Sequence, residues 1–385
     1  MLKQFLLKGA AGCFLAIFIA FGACFPVKAE TTLEVSAASA VVMTGDMGAV
    51  LFEKDAHVQR PMASTTKIMT ALLTLEEAER RGDPVVDITQ EMVQVEGSSM
   101  GLQAGDRISL TNLAAGMLLA SGNDAANSAA LYLEGSLEAF ADRMNRRAQE
   151  LGMANTHFVT PSGLDGESAD GKGHYSTAYD MALLARAALQ NVKFRELCSS
   201  PSLQVDFTYP VKQVTYTNHN RLLTEYAGCV GVKTGFTKQA GRCLVSAAER
   251  DGALLIAVTL NDPDDWRDHT VLLDYGFSQV EPYLLAGGDV SLTVPVVGSE
   301  IQYVSLKGEN GGEVFLPNGK GSQVERVVCV PHFLYAPLSR GDMVGEIRWY
   351  LQGALLGSAP IAAGEAIPSQ ERETGLWAGL FGHKS

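Results

Sequence analysis

The chain has 385 residues, 46% hydrophobic and 19% charged, which is enough for two or three domains with sizeable cores and too apolar for a disordered segment. Its 39 Gly and 14 Pro follow no Gly-X-Y period, so a collagen-like chain is excluded. A formal charge of -13 argues against binding nucleic acid or anionic lipid through bulk charge.

Lys3 and Lys8 precede an uncharged run from Gly9 to Phe25, and Val27-Lys28-Ala29 puts small residues where a signal peptidase reads. Residues 1–29 are therefore expected to be a secretory signal cut after Ala29. An uncleaved anchor is the rival reading, and Cys24 is a weaker candidate for lipidation. No later run is long and apolar enough to span a membrane. The cysteines beyond the signal are Cys198, Cys229, Cys243 and Cys329. None has C-x-x-C spacing, so zinc and thioredoxin-type redox chemistry are not expected, while disulfides and buried free thiols stay open.

Leu33 to Val42, the turn Thr44 to Gly48 and Ala49 to Glu53 read as a β-hairpin. Helical periodicity then runs from Ser64 to about Arg80, from Leu110 to about Leu133 with a break at Ser121-Gly122-Asn123, from Ser136 to Leu151, and from Ser176 to Gln190. Thr160 to Ser176 carries Pro, Gly and Asp turn signals and reads as a long loop. Gly228 to Gly235, Cys243 to Ala248 and Ala253 to Leu260 read as strands, followed by a helix from Trp266 to Tyr275. Strands open and close this region and helices fill its middle. That order predicts an α+β fold, with an antiparallel sheet whose first two strands come from the N-terminus. Beyond Val280, short alternating runs separated by Gly turns read as a small all-β domain. The expected divisions are a catalytic domain over 30–280, a β-rich domain over 281–366 and a tail over 367–385. In the tail, Leu376, Trp377, Leu380 and Phe381 fall at helical spacing, and a membrane-surface helix and a frayed tail both stay open.

Three short motifs carry chemistry. In Ser64-Thr65-Thr66-Lys67 the first and last residues share a helix face, so an amine can reach a hydroxyl and activate it as a nucleophile. The helix start also offers free N–H groups for an oxyanion. In Ser121-Gly122-Asn123 a hydroxyl and a carboxamide sit in a helix break, where Ser121 could relay a proton and Asn123 could bond a substrate amide. In Lys233-Thr234-Gly235 a cation and a hydroxyl on a strand suit a carboxylate, and the glycine lets a substrate backbone come close. Singly, each has an ordinary structural reading: a capped helix, a polar turn, an edge-strand lysine.

In this order and spacing the three resemble the signature of penicillin-recognising serine acyl enzymes. Pro61 to Lys67, Ser121 to Ala125, Thr160 to Asp165 and Gly231 to Thr237 closely resemble the exported D-alanyl-D-alanine carboxypeptidases, the low-molecular-mass penicillin-binding proteins of peptidase family S11. The resemblance covers about Glu30 to Val280, and the β-rich segment resembles the C-terminal domain many of these enzymes carry. It implies a β-lactamase/transpeptidase-like domain and removal of the terminal D-alanine from peptidoglycan stems ending in D-Ala-D-Ala. It also implies acylation by β-lactam antibiotics and a place in the cell envelope, without cofactor, metal or nucleic acid. It further implies Ser64 as nucleophile, Lys67 as general base and Ser121 in the proton network. Asn123 would position the peptide, Lys233 and Thr234 would bind the terminal carboxylate, and the N–H groups of Ser64 and Phe236, beside Gly235, would form the oxyanion hole. Arg267 resembles the family's second carboxylate-binding cation. Two departures are Val230, where the family often has an acid, and Phe236, where some members are polar.

Other readings use the same motifs. A serine β-lactamase would need a loop glutamate, and Glu167 stands in a different context. An endopeptidase or transpeptidase could share the site, and a wall-bound non-enzyme would require a lost catalytic residue. The histidines show no zinc-like spacing and read mostly as surface or loop residues, with His219 placed near the cleft.

Overall fold

The computed structural model describes residues 33–370. The expected signal (1–29) and the four apolar residues of the tail lie outside them. The chain starts with β1 (Ser39–Thr44) and β2 (Val50–Lys54), then a 3-10 turn (Ala63–Thr66) running into α1 (Lys67–Arg81). There follow β3 (Val85–Asp87), α2 (Gln90–Val93), β4 (Arg107–Ser109), α3 (Leu110–Leu119), α4 (Asn123–Glu134), α5 (Leu137–Glu150), α6 (Ala178–Gln190) and α7 (Val192–Ser199). A hairpin of β5 (Ser202–Thr208) and β6 (Val211–Thr217) and the turn α8 (Leu222–Glu225) lead to β7 (Cys229–Thr237), β8 (Gly241–Arg250), β9 (Ala253–Leu260) and α9 (Asp265–Ser278).

The main sheet is antiparallel in the order β2-β1-β9-β8-β7, so the N-terminal hairpin joins strands from some 200 residues later. β1 is apolar at consecutive positions and buried throughout, because helices cover both of its faces. The first strand begins at Ser39, later than the alternation suggests. Ser36 and Ala37 instead bond Asp262 and Asp268 through side chain and amide, holding the chain beside the sheet without joining it. The helical subdomain is built on capped helices: the hydroxyls of Ser109, Ser136 and Thr177 accept N–H groups at the starts of α3, α5 and α6. Gly82, at φ 74°, ends α1. One continuous core joins α1, α3, α4 and α6 to the inner face of the sheet.

Next come β10 (Val280–Leu284), β11 (Ser291–Val297), β12 (Tyr303–Gly308), β13 (Glu313–Pro317), β14 (Val324–Cys329), β15 (Leu334–Tyr335), β16 (Met343–Leu351) and β17 (Ala354–Ala363). Six of them form a sheet in the order β14-β16-β17-β12-β11-β15, and β10 pairs with β13. Their own core centres on Leu306, Ile347, Trp349 and Ile361. All four cysteines of the described residues are free thiols, and burial pushes Cys198 and Cys243 up to about 12. Among the described residues no helix is long and apolar enough to cross a membrane.

Candidate active site

Ser64 lies inside the 3-10 turn and Lys67 is the first residue of α1, so the short turn brings the two side chains together. Lys67 Nζ is 3.0 Å from Ser64 Oγ and donates to the Ser162 carbonyl at 2.6 Å. Lys67 is fully buried. Desolvation, reinforced by the charge of Lys233, holds its amine well below the ordinary lysine value, against the opposing pull of Asp124. A lysine that sheds its proton readily, beside a hydroxyl, is the arrangement a nucleophilic serine requires.

The loop over Thr160–Ser176 fixes this pair from outside. Thr70 Oγ1 donates to Pro161 O at 2.6 Å, and Gly163 presses so closely on Ala63 that a β-carbon would sit 2.0 Å from its carbonyl oxygen. His174 accepts the Val159 amide at Nδ1, so Nε2 carries the proton and donates to Thr66 Oγ1 at 2.7 Å. The sequence reads most of the histidines as surface or loop residues, and His174 does lie in the loop without being exposed. It is buried because the loop folds over the turn, and burial pushes it down to about 3. His269 is also buried, between Ser246 and Thr259, and pins α9 to the sheet.

Ser121 occupies the gap between α3 and α4 with φ 56° and is 4% exposed. Asn123 donates through Nδ2 to Glu96 O at 2.6 Å, which leaves Oδ1 buried with no partner. The neighbouring Asp124 accepts the amides of Met100, Gly101 and Leu102 and the Ser99 hydroxyl, anchoring the segment that carries Ser98 to the cleft. Nothing in the sequence pattern singles out Asp124 or Ser98 for these roles.

On β7, Lys233 is 1% exposed and donates to its neighbour's carbonyl, Thr234 O, at 2.8 Å. Burial pushes it down to about 7. Gly235 lies directly over the 3-10 turn: a β-carbon there would come within 3.0 Å of Thr65 N and 3.1 Å of Ser64 N. Only glycine lets the strand approach the turn this closely.

A cleft of about 310 Å³ is lined by Ser64, Ser121, Thr234, Gly235 and Phe236, together with Ser98, His219, Arg242, Asp265 and Trp266. His219 therefore does lie at the cleft, where burial and the charge of Lys233 push its pKa down. Arg267 sits on α9 with its side chain 66% exposed and its nearest carboxylates, Asp264 and Asp268, at 3.9 Å. It is not among the lining residues, whereas Arg242 is. Glu167 is exposed, in a small bridge with Gly173.

The D-alanyl-D-alanine carboxypeptidase family model matches residues 26–264, and that of the penicillin-binding protein 5 C-terminal domain matches residues 279–369. Among curated relatives, D-alanyl-D-alanine carboxypeptidase DacF of Bacillus subtilis (strain 168) is 31% identical over 348 residues, 88% of this chain and 87% of that protein. The structure of D-alanyl-D-alanine carboxypeptidase DacD from Francisella tularensis is similar at TM-score 0.60 and 29% identity, covering 88% of this chain and 95% of that one. The DD-transpeptidase of Streptomyces K15 is similar at TM-score 0.60 and 32% identity, covering 64% of this chain and 98% of that one.

Proposed function

The chain belongs to the D-alanyl-D-alanine carboxypeptidase family, penicillin-binding serine peptidases, and on that premise we propose a role for each cleft residue. Ser64 attacks the carbonyl between the last two D-alanines, and neutral Lys67 takes the hydroxyl proton. The N–H groups of Ser64 and Phe236 receive the oxyanion. The amide C–N bond then breaks, the proton passes through Ser121 to the departing amine, and D-alanine leaves. Water, deprotonated by the same lysine, hydrolyses the ester and restores Ser64. Asn123 accepts an N–H of the stem peptide, and Thr234, backed by the charge of Lys233, receives the terminal carboxylate.

The observation that carries this reading is the fully buried Lys67 at 3.0 Å from Ser64 Oγ. β-Lactams fit the same path, since their strained amide mimics the scissile bond and leaves a slowly hydrolysed ester. We further propose that the first 29 residues direct export and that the enzyme works on peptidoglycan in the cell envelope, with 30–280 as the catalytic domain and 281–366 as the second. The test is intact-protein mass spectrometry after mixing the mature enzyme with benzylpenicillin, beside Ser64→Ala. One stable adduct, absent from the variant, supports the reading. Penicillin turnover without a lasting adduct would favour a β-lactamase, and neither adduct nor turnover would sink the enzymatic reading.

A further inference from the structure

The N–H of Ser64 shares a peptide plane with the carbonyl of Ala63. A trans peptide is rigid, so whatever holds the Ala63 oxygen also sets the direction of the Ser64 N–H. Ala63 needs such a hold. Its φ is 49°, in the left-handed region that a residue with a β-carbon leaves when it can.

Two groups supply the hold. Thr66 Oγ1 donates to Ala63 O at 2.8 Å, and Gly163 packs against the same oxygen so closely that no side chain would fit there. Behind Thr66 stands His174. The Val159 amide donates to its Nδ1 at 3.0 Å, so the ring proton sits on Nε2 and is donated to Thr66 Oγ1 at 2.7 Å. The Thr66 hydroxyl therefore accepts from His174 and gives its own single proton to Ala63 O. Thr66 is fully buried and His174 is 7% exposed, so no water competes for these bonds. Both ring nitrogens are spent inside the protein, and neither is left for a substrate. Burial holds the imidazole pKa down to about 3, so the chain of bonds keeps one direction at neutral pH.

We propose that His174 is a positioning residue for the oxyanion hole: by fixing the direction of the Thr66 hydroxyl it holds the Ala63 carbonyl, and so aims the Ser64 N–H at the reacting oxygen. The inference rests on the serine acyl-enzyme reading. Formation and hydrolysis of the acyl-enzyme each pass through an oxyanion, so a fault in this strut slows both steps.

The test reads two rates by intact-protein mass spectrometry with benzylpenicillin: formation of the adduct, and its decay once free penicillin is removed. Rates are taken per protein that becomes acylated, so unfolded molecules drop out. An Asn side chain places an oxygen near the position of Nδ1 and keeps the Val159 bond, but stops short of Thr66. A Gln side chain gives up the Val159 bond and reaches Thr66 with its Nε2. His174→Asn is expected to slow both rates about 10- to 100-fold, and His174→Gln to recover most of the loss. Thr66→Ala and Thr66→Ser repeat the contrast at the other end of the strut and decide the matter if the histidine variants do not fold. The serine keeps the hydroxyl and should retain what the alanine loses. Undiminished rates in His174→Asn or in Thr66→Ala overturn the proposal. So does slow formation with unchanged decay, or a Gln variant as slow as the Asn one. No adduct on the unmodified enzyme would instead overturn the acyl-enzyme reading beneath it, and shows before any substitution is made.

Discussion

Replacing Lys233 by Met should stabilise the protein while disabling it. Lys233 is completely buried, and burial alone moves it from 10.5 to about 7. The unfolded chain therefore keeps a proton across that window that the folded chain has shed, so stability rises with pH between about 7 and 10.5. At about 1.4 kcal/mol for each pKa unit, holding this lysine in the fold costs about 4 kcal/mol at pH 7 and almost nothing at pH 10.5. Met fills a similar volume without a charge, but it forfeits the hydrogen bond to Thr234 O, which offsets about 1–2 kcal/mol. Urea unfolding should show the variant more stable by about 2–3 kcal/mol at pH 7, with the difference shrinking and then reversing towards pH 10. In the same variant kcat/KM on a free-acid peptide should fall roughly 100-fold, because an incoming carboxylate draws a proton onto Lys233 and the variant has no amine there to hold it. A variant equally destabilised at both pH values would refute the claim that Lys233 is held in the fold at a cost.

Gly235→Ala would place a methyl 3.0 Å from Thr65 N and 3.1 Å from Ser64 N, forcing β7 away from the turn that carries the nucleophile. The expected result is a fall in kcat of about 100- to 1,000-fold from a misplaced oxyanion donor, with a loss of about 1–3 kcal/mol in urea unfolding from the overpacking. Thr66→Val leaves the buried Nε2–H of His174 without its acceptor and should cost about 1–3 kcal/mol in chemical denaturation. His174 and His269 are both pushed down to about 3, so the unfolded chain gains protons first as the solution is acidified. Their contribution should be complete above about pH 6.5 and lost as pH falls towards 3, with Asp262, raised to about 6, working in the opposite direction; unfolding midpoints across that range check it.

The catalytic pair was legible because its logic is local: Ser64 and Lys67 fall three residues apart at a helix start, and the geometry of one turn joins them. The break at Ser121-Gly122-Asn123 was legible for the same reason, and Ala253–Leu260 forms a strand over the residues its apolar run marks. What sequence reading missed depends on distant partners. α7 follows α6 across the single residue Asn191, and its eight residues are too short for a helical period to stand out. The hairpin of β5 and β6 is an exception: Leu203, Val205 and Phe207 alternate with exposed polar residues, a period-two signal that reading along the chain passed over. The burial of His174 comes from a loop folding back over a turn some hundred residues earlier in the chain. Arg242 illustrates the same limit. Its place beside Phe236 follows from the register of two strands, whereas Arg267 stood out in the sequence because of the residues around it.

The central claim is that Ser64, activated by Lys67, cleaves the bond between two terminal D-alanines. The most direct measurement is D-alanine release from an N-acylated peptide ending in D-Ala-D-Ala, by the mature enzyme, by Ser64→Ala and by Lys67→Met, with folding of each confirmed by circular dichroism. The unmodified enzyme should release one D-alanine per peptide cleaved, and both variants should lose release. Undiminished release by folded Ser64→Ala, or no release by the unmodified enzyme, would contradict it.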